Sequence, residues 1–238
     1  AWPAGGLSTM PILNRVAAMT DEITAWRHDL HAHPEILYEV HRTAAFVADK
    51  LRGFGCDEVV TGLGRTGVVG IIRGNKPGPG RTIALRADMD ALPIEEATDV
   101  PYKSKTPGAM HACGHDGHTA MLLGAAKYLA ETRNFSGTAV MIFQPAEEGG
   151  NGALAMIDDG MMERFGVEAV YGMHNDPTLP IGAFGIRTGA QLAAMDKFTI
   201  NITGKGSHGA APHLSNDPVI VVGQLITGLQ SIASRNAD

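Results

Sequence analysis

Thr138-Ala139-Val140-Met141-Ile142-Phe143-Gln144-Pro145-Ala146-Glu147-Glu148-Gly149 is the stretch on which the fold turns. The apolar run Val140 to Phe143 is unbroken, so it reads as a strand buried on both faces, as in a parallel sheet covered by helices. Acids also favour a solvated helix start. Directly behind so apolar a run, however, Glu147 and Glu148 read as a carboxylate pair delivered at the carboxyl end of a buried strand. Two other segments repeat the arrangement. Thr82 to Leu85 delivers Arg86-Ala87-Asp88-Met89-Asp90, and Glu168 to Tyr171 delivers Gly172-Met173-His174-Asn175.

Helical segments lie around these strands. Thr20 caps a helix with Asp21 and Glu22 in its first turn and Ile23, Trp26 and Leu30 on one face, and Pro34 ends it. A second helix spans His41 to Phe54 and stops at Gly55. Glu58 to Val60 and Val68 to Arg73 read as strands, with a Gly/Pro turn over 74–80. His118 to Thr132 is helical, with Met121, Leu122, Ala125, Ala126 and Leu129 on one face, and so is Gly152 to Asp159. The alternation predicts an α/β fold with a mostly parallel central sheet and flanking helices. Sites in such sheets form beyond the carboxyl ends of the strands, where Asp90, Glu147, Glu148 and His174 all fall.

The chemistry points to metal. In His111-Ala112-Cys113-Gly114-His115-Asp116-Gly117-His118 a thiol and an imidazole stand two residues apart, which suits an extended loop with both side chains on one side. Thiolate and imidazole are good ligands for zinc and similar divalent ions. A carboxylate pair allows one member to bind metal while the other moves a proton. Asp88 and Asp90, on one side of a strand end, suit a supporting role. Other motifs fail their context. Gly62-Leu63-Gly64-Arg65-Thr66-Gly67 has dinucleotide-binding spacing but is followed by a strand, not a helix. Gly204-Lys205 lacks the rest of a phosphate loop, and no Gly-x-Ser-x-Gly is present. His31-Ala32-His33 resembles the metal motif of barrel amidohydrolases, which needs a preceding strand. Here a helix precedes it, so His28, His31, His33 and His41 read as packing or surface residues.

With 238 residues and net charge −6, the chain can bury a proper core and has no basic run to bind nucleic acid or an anionic membrane. No apolar run is long enough for a membrane span. Two cysteines and no apolar leader point to a reduced, cytoplasmic setting. Residues 1–9 read as a scar or tail before a start at Met10. A metal-dependent catalytic domain is expected over 10–190. Over 191–238, a strand at Phe198 to Thr203 and a helix after Asp217-Pro218 cannot bury their own faces. They read as the first part of a second, smaller α+β domain. The helix carries an apolar stripe of Val222, Leu225, Ile226, Leu229 and Ile232, which an interrupted domain leaves open to self-association.

Five motifs in order resemble the M20 metallopeptidase family: Leu30 to Glu35, Arg86 to Pro93, His111 to His118, Gln144 to Gly149, and Gly204-Lys205-Gly206-Ser207-His208-Gly209. They are most similar to its branch of hippurate, N-acyl amino-acid and auxin-conjugate amidohydrolases. The resemblance implies a centre of two divalent ions (zinc, manganese, cobalt or nickel) with Cys113, His115, Glu148 and His174 as ligands. It implies Glu147 as general base and Asp90 as the supporting carboxylate. Asp88 stands where the wider family has a ligand histidine, whose duty His115 takes over. His208 matches a histidine of a lid domain that, in family homodimers, reaches the partner's site and polarises the scissile carbonyl. The implied substrate is an N-acyl amino acid or short peptide. Family members continue past Asp238 to complete the lid and supply one more ligand histidine. The expected alternative is therefore a metal-binding, self-associating fragment without turnover.

Overall fold

Residues 13–190, 192 and 197–236 are described in a computed structural model; the tail and start at residues 1–10 lie outside them. The elements are α1 (Asn14–Ala17), α2 (Thr20–Ala32), α3 (His41–Gly53), β1 (Glu58–Leu63), β2 (Gly67–Arg73), β3 (Thr82–Asp88), α4 (His115–Thr132), β4 (Thr138–Gln144), α5 (Gly152–Asp158), α6 (Met161–Phe165), β5 (Ala169–Gly172) and α7 (Pro218–Asn236).

The five strands form one sheet in the order β1-β2-β4-β3-β5. β3 pairs in parallel with β4 and β5, whereas β2 runs antiparallel to both β1 and β4. The sheet is thus mostly parallel, with β2 the reversed strand. Period-two alternation sorts its side chains onto two faces. Val68, Ile72, Met141 and Phe143 pack with Trp26, Val47, Leu51, Leu122 and Leu123 of α2, α3 and α4. Val69, Ile71, Val140 and Ile142 pack on Met156 and Met161 of α5 and α6. Burial on both faces explains why β2 and β4 read as continuous apolar runs. At Gly70 an added Cβ would lie 3.0 Å from Leu51 Cδ1, so glycine lets α3 settle on the sheet.

Several sequence expectations shift. Thr20 is the first helical residue rather than the cap; Met19 occupies the cap position and Thr20 Oγ1 donates to Ala17 C=O at 2.8 Å. The α4 helix begins at His115, not His118, and Met121 faces solvent while Leu123 is fully buried. The short α6 falls between α5 and β5, where the sequence carries a left-handed glycine at each end, Gly160 and Gly166.

The chain divides into two compact units after Phe184. In the second, 198–203 forms no strand among the described residues, and Lys205–Asn216 is an isolated bridge. Asp217 Oδ1 accepts the Val219 N–H at 2.9 Å and opens α7, as its sequence predicts. On α7, Val222, Ile226 and Ile232 are exposed, and Leu225 and Leu229 half-buried. No described helix is long and apolar enough to cross a membrane.

Candidate metal centre

The register of β3 on β4 sets Asp88 opposite Gln144, and β3 on β5 sets Arg86 opposite Gly172. Three strand ends therefore deliver Asp88 and Asp90, Glu147 and Glu148, and His174 to one edge of the sheet. After β4 the chain turns at Ala146, whose φ of 51° is left-handed. This turn points the N–H groups of Glu147 and Glu148 at Asp90, which accepts them through Oδ1 at 3.0 Å and Oδ2 at 3.1 Å. Asp90 thus fixes the glutamate pair through its backbone.

Cys113 and His115 do not lie on an extended segment. Gly114, at φ 86°, turns the chain left-handed between them, and His115 is the first residue of α4. A Cβ on Gly114 would also lie 2.5–2.8 Å from the Asn175 amide. Gly114→Ala therefore combines a backbone penalty of about 1–2 kcal/mol with displacement of the turn carrying His174. It should lower the thermal midpoint and weaken metal binding together, checked by calorimetry and chelator competition.

The donor atoms converge. Cys113 Sγ lies 3.3 Å from His174 Nε2. His115 Nε2 lies 3.5 Å from Asp88 Oδ2, 3.7 Å from Glu148 Oε1 and 4.0 Å from Glu147 Oε2. Three groups of potential ligands result, Cys113/His115/His174, Asp88/His115/His118 and His115/Glu147/Glu148, and His115 belongs to each. His115 is 1 % exposed, yet neither ring nitrogen has a hydrogen-bond partner, nor does the buried Glu148 Oε1. Buried polar atoms left this way cost about 1–3 kcal/mol each, and a cation among them removes that cost. The thiol tells the same story. Burial, then the neighbouring carboxylates of Glu148, Asp88 and Glu147, push the Cys113 thiol up to about 12. Only a bound cation would make the thiolate favourable amid so much negative charge. The residues present fit a divalent metal.

The surrounding hydrogen bonds set which ring nitrogens stay free towards the cluster of donor atoms. His174 Nδ1 donates to the Asn175 C=O at 2.7 Å, leaving Nε2 turned towards Cys113. His118 accepts the Asn175 N–H on Nε2 at 3.0 Å and donates from Nδ1 to Asp88 Oδ1 at 2.6 Å, so both its nitrogens are occupied. Although burial opposes ionisation of Asp88, this bond together with Arg86 and His115 holds its carboxyl at about 2. Arg86 pairs with Asp88 at 2.8 Å and donates to Gln144 Oε1 at 2.8 Å. Asp88 is thus held by His118 and Arg86 while it also lies in one of the three donor groups. Asn175 and Gln144 escape sequence reasoning, because an amide in a strand-end motif carries no metal signature of its own. Asn175→Ala should weaken metal binding about 10–100-fold, the usual penalty for losing an orienting partner, measured by chelator competition. His208 lies in the second unit, where its Nδ1 accepts the Ala210 N–H at 3.1 Å.

Residues 84–232 match a family described as Peptidase family M20/M25/M40. Hippurate hydrolase of Campylobacter jejuni is 47% identical over 96% of this chain and 59% of its own length. N-acetyl-L-cysteine deacetylase of Bacillus subtilis is 46% identical over 94% of this chain and 53% of its own length. The crystal structure of Bacillus subtilis YxeP, described as a dinuclear metal-binding peptidase from the M20 family, superposes with a TM-score of 0.68 at 41% identity, covering 73% of this chain and 48% of that one. The chain thus spans between about half and three-fifths of the length of these relatives.

Proposed function

The chain belongs to peptidase family M20/M25/M40, and from that membership we propose that it is the metal-binding part of an amidohydrolase acting on N-acyl amino acids of the hippurate kind or on short peptides. The observation that carries the reading is His115, buried with both nitrogens unpartnered and ringed by a thiol and carboxylates.

Cys113, His115, Glu148 and His174 would hold one or two divalent ions, drawn from zinc, manganese, cobalt and nickel. Ions bound there supply Lewis acidity, which polarises a carbonyl and eases deprotonation of water. Glu147 is the group left free to move the proton. Its side chain is 44% exposed against 19% for Glu148, so it can swing between water and leaving group while Asp90 holds its backbone. Its carboxylate takes a proton from the attacking water and returns it to the departing amine, so that water and amide yield acid and amine. His208 polarises the scissile carbonyl of a partner copy. The second unit is assigned to dimerisation, and exposed Val219, Ile220, Val222 and Ile226 on α7 support that assignment. Free thiols at Cys56 and Cys113 suit a reducing, cytoplasmic setting.

The same exposed α7 residues favour a second reading, a self-associating metal-binding product without turnover. Hydrolysis of a panel of N-acyl amino acids by chelator-stripped protein, with Mn²⁺, Zn²⁺ or Co²⁺ restored, separates the two. Metal-dependent release of amino acid establishes the first. Bound metal without turnover establishes the second.

A further inference from the structure

The segment Leu30-His31-Ala32-His33-Pro34-Glu35 carries chemistry that the metal centre does not use. His33 is occupied locally, with Nδ1 donating to the Asp29 C=O at 2.8 Å. Glu35 accepts the Arg42 and Thr43 N–H groups at 3.0 and 2.8 Å and so closes the first turn of α3. His31 is different. It is buried at the end of α2, with Nδ1 2.9 Å from Asp116 Oδ2 and Nε2 3.3 Å from Glu96 Oε1. Both carboxylate side chains are 1 % exposed, and an ionised carboxylate only accepts, so each ring nitrogen faces an acceptor. The Asp116 hydrogen bond is the main reason its pKa is raised, against the opposing effect of burial. Arg27 Nε adds a second donor to Asp116 Oδ2 at 3.0 Å. Ser104 N–H at 2.6 Å and the Thr98 hydroxyl complete the shell of Glu96. The rings of Tyr102 and His111 stand 5.4 and 6.3 Å from that of His31.

These partners lie on separate pieces of chain. Asp116 immediately follows His115 in the first turn of α4. Glu96 belongs to the excursion 93–110, which leaves just after Asp90 and returns just before Cys113. The ends of that excursion bond to each other, Leu92 N–H to Met110 C=O and Met110 N–H to Leu92 C=O, both at 3.0 Å. Lys105 N–H donates to Ala32 C=O at 2.9 Å, which ties its middle to the end of α2. Hence the same excursion joins two segments of the metal centre, and His31 is the link from it to the helix start that carries a third.

We propose that His31 is a positioning residue for the metal centre: by joining Asp116 to Glu96 it locks the first turn of α4 to the 93–110 excursion and so sets His115 against Cys113 and Asp90. The proposal rests on the reading of this site as a metal centre. Removing the ring leaves Asp116 with Arg27 and Glu96 with Ser104 and Thr98, so each carboxylate keeps its own segment but the two are no longer joined through His31.

Titration of the full chain with Co²⁺ tests this, followed by the thiolate-to-cobalt absorption that Cys113 would contribute and by chelator competition. His31→Gln should weaken Co²⁺ binding about 10–100-fold, as loss of an orienting partner does, and alter that absorption. Glu96→Gln leaves α4 untouched and should weaken binding several-fold. The double variant should resemble His31→Gln alone, because both residues act through one link. A folded His31→Gln protein, lower-melting but with unchanged Co²⁺ affinity and absorption, would mean a merely structural role and overturn the proposal. Should His31→Gln not fold, unchanged affinity in Glu96→Gln overturns it equally. If the unsubstituted chain itself shows no Cys113-dependent cobalt band, the metal-centre reading falls and the positioning role falls with it. A normal band in the unsubstituted chain that is unmoved by either substitution sinks the positioning role alone.

Discussion

Glu147→Gln is expected to reduce turnover by about 10²–10⁴-fold, the range a general base contributes, while metal content stays unchanged. Glutamine keeps the volume and the backbone N–H that Asp90 Oδ1 accepts at 3.0 Å, so the loop after β4 keeps its shape. What it loses is the capacity to accept a proton. The prediction discriminates because Glu147 also belongs to a donor group with His115 and Glu148. If it serves as a ligand, Glu147→Gln loses metal as well as rate. Metal analysis beside steady-state kinetics reads both quantities. Undiminished turnover would remove Glu147 from the chemistry, and parallel loss of metal and rate would move it into the ligand set.

His115→Ala is expected to abolish metal binding, a larger effect than the about 10–100-fold attached to outer partners. His115 is the one residue common to the three donor groups among the described residues, and it stands within 3.5–4.0 Å of Asp88, Asp90, Glu147 and Glu148. Burial opposes its charge, yet Asp90, Asp88 and Glu148 together raise its pKa. Alanine leaves those carboxylates to repel one another. Cys113→Ala removes one candidate ligand from the cluster and should release metal too. Isothermal titration with Zn²⁺ compares them. Retention of tight binding by His115→Ala would place the metal elsewhere and dismantle the site described above.

Much of this centre is legible in the chain because its residues arrive at strand ends. Apolar runs such as Val140 to Phe143 announce strands buried on both faces, and a parallel sheet places whatever follows them at one edge. Hence Asp90, Glu147, Glu148 and His174 could be grouped without coordinates. The helix stops at Gly55 and before Pro34 were equally readable, since they depend on local backbone freedom.

Other features depend on neighbours far away in sequence. Nothing local says that β4 inserts between β2 and β3; that order is seen only in the strand pairing, antiparallel to β2 and parallel to β3. The early start of α4 at His115 is set by the left-handed Gly114, whose conformation leaves room for Asn175, 61 residues on. The Phe198 to Thr203 alternation lacks a strand partner among the described residues, and alternation alone supplies no hydrogen bonds. His31 looked like an ordinary packing histidine because its two carboxylate partners lie 65 and 85 residues away. The sequence by itself determined the kind of fold and the family and supplied the candidate ligands, for these rest on residue type, spacing and strand ends. Tertiary structure alone decided which imidazole nitrogens face the cluster of donor atoms and which face away from it. That choice depends on the hydrogen bond each ring makes through its other nitrogen, and the partners of those bonds come together only when the sheet is built.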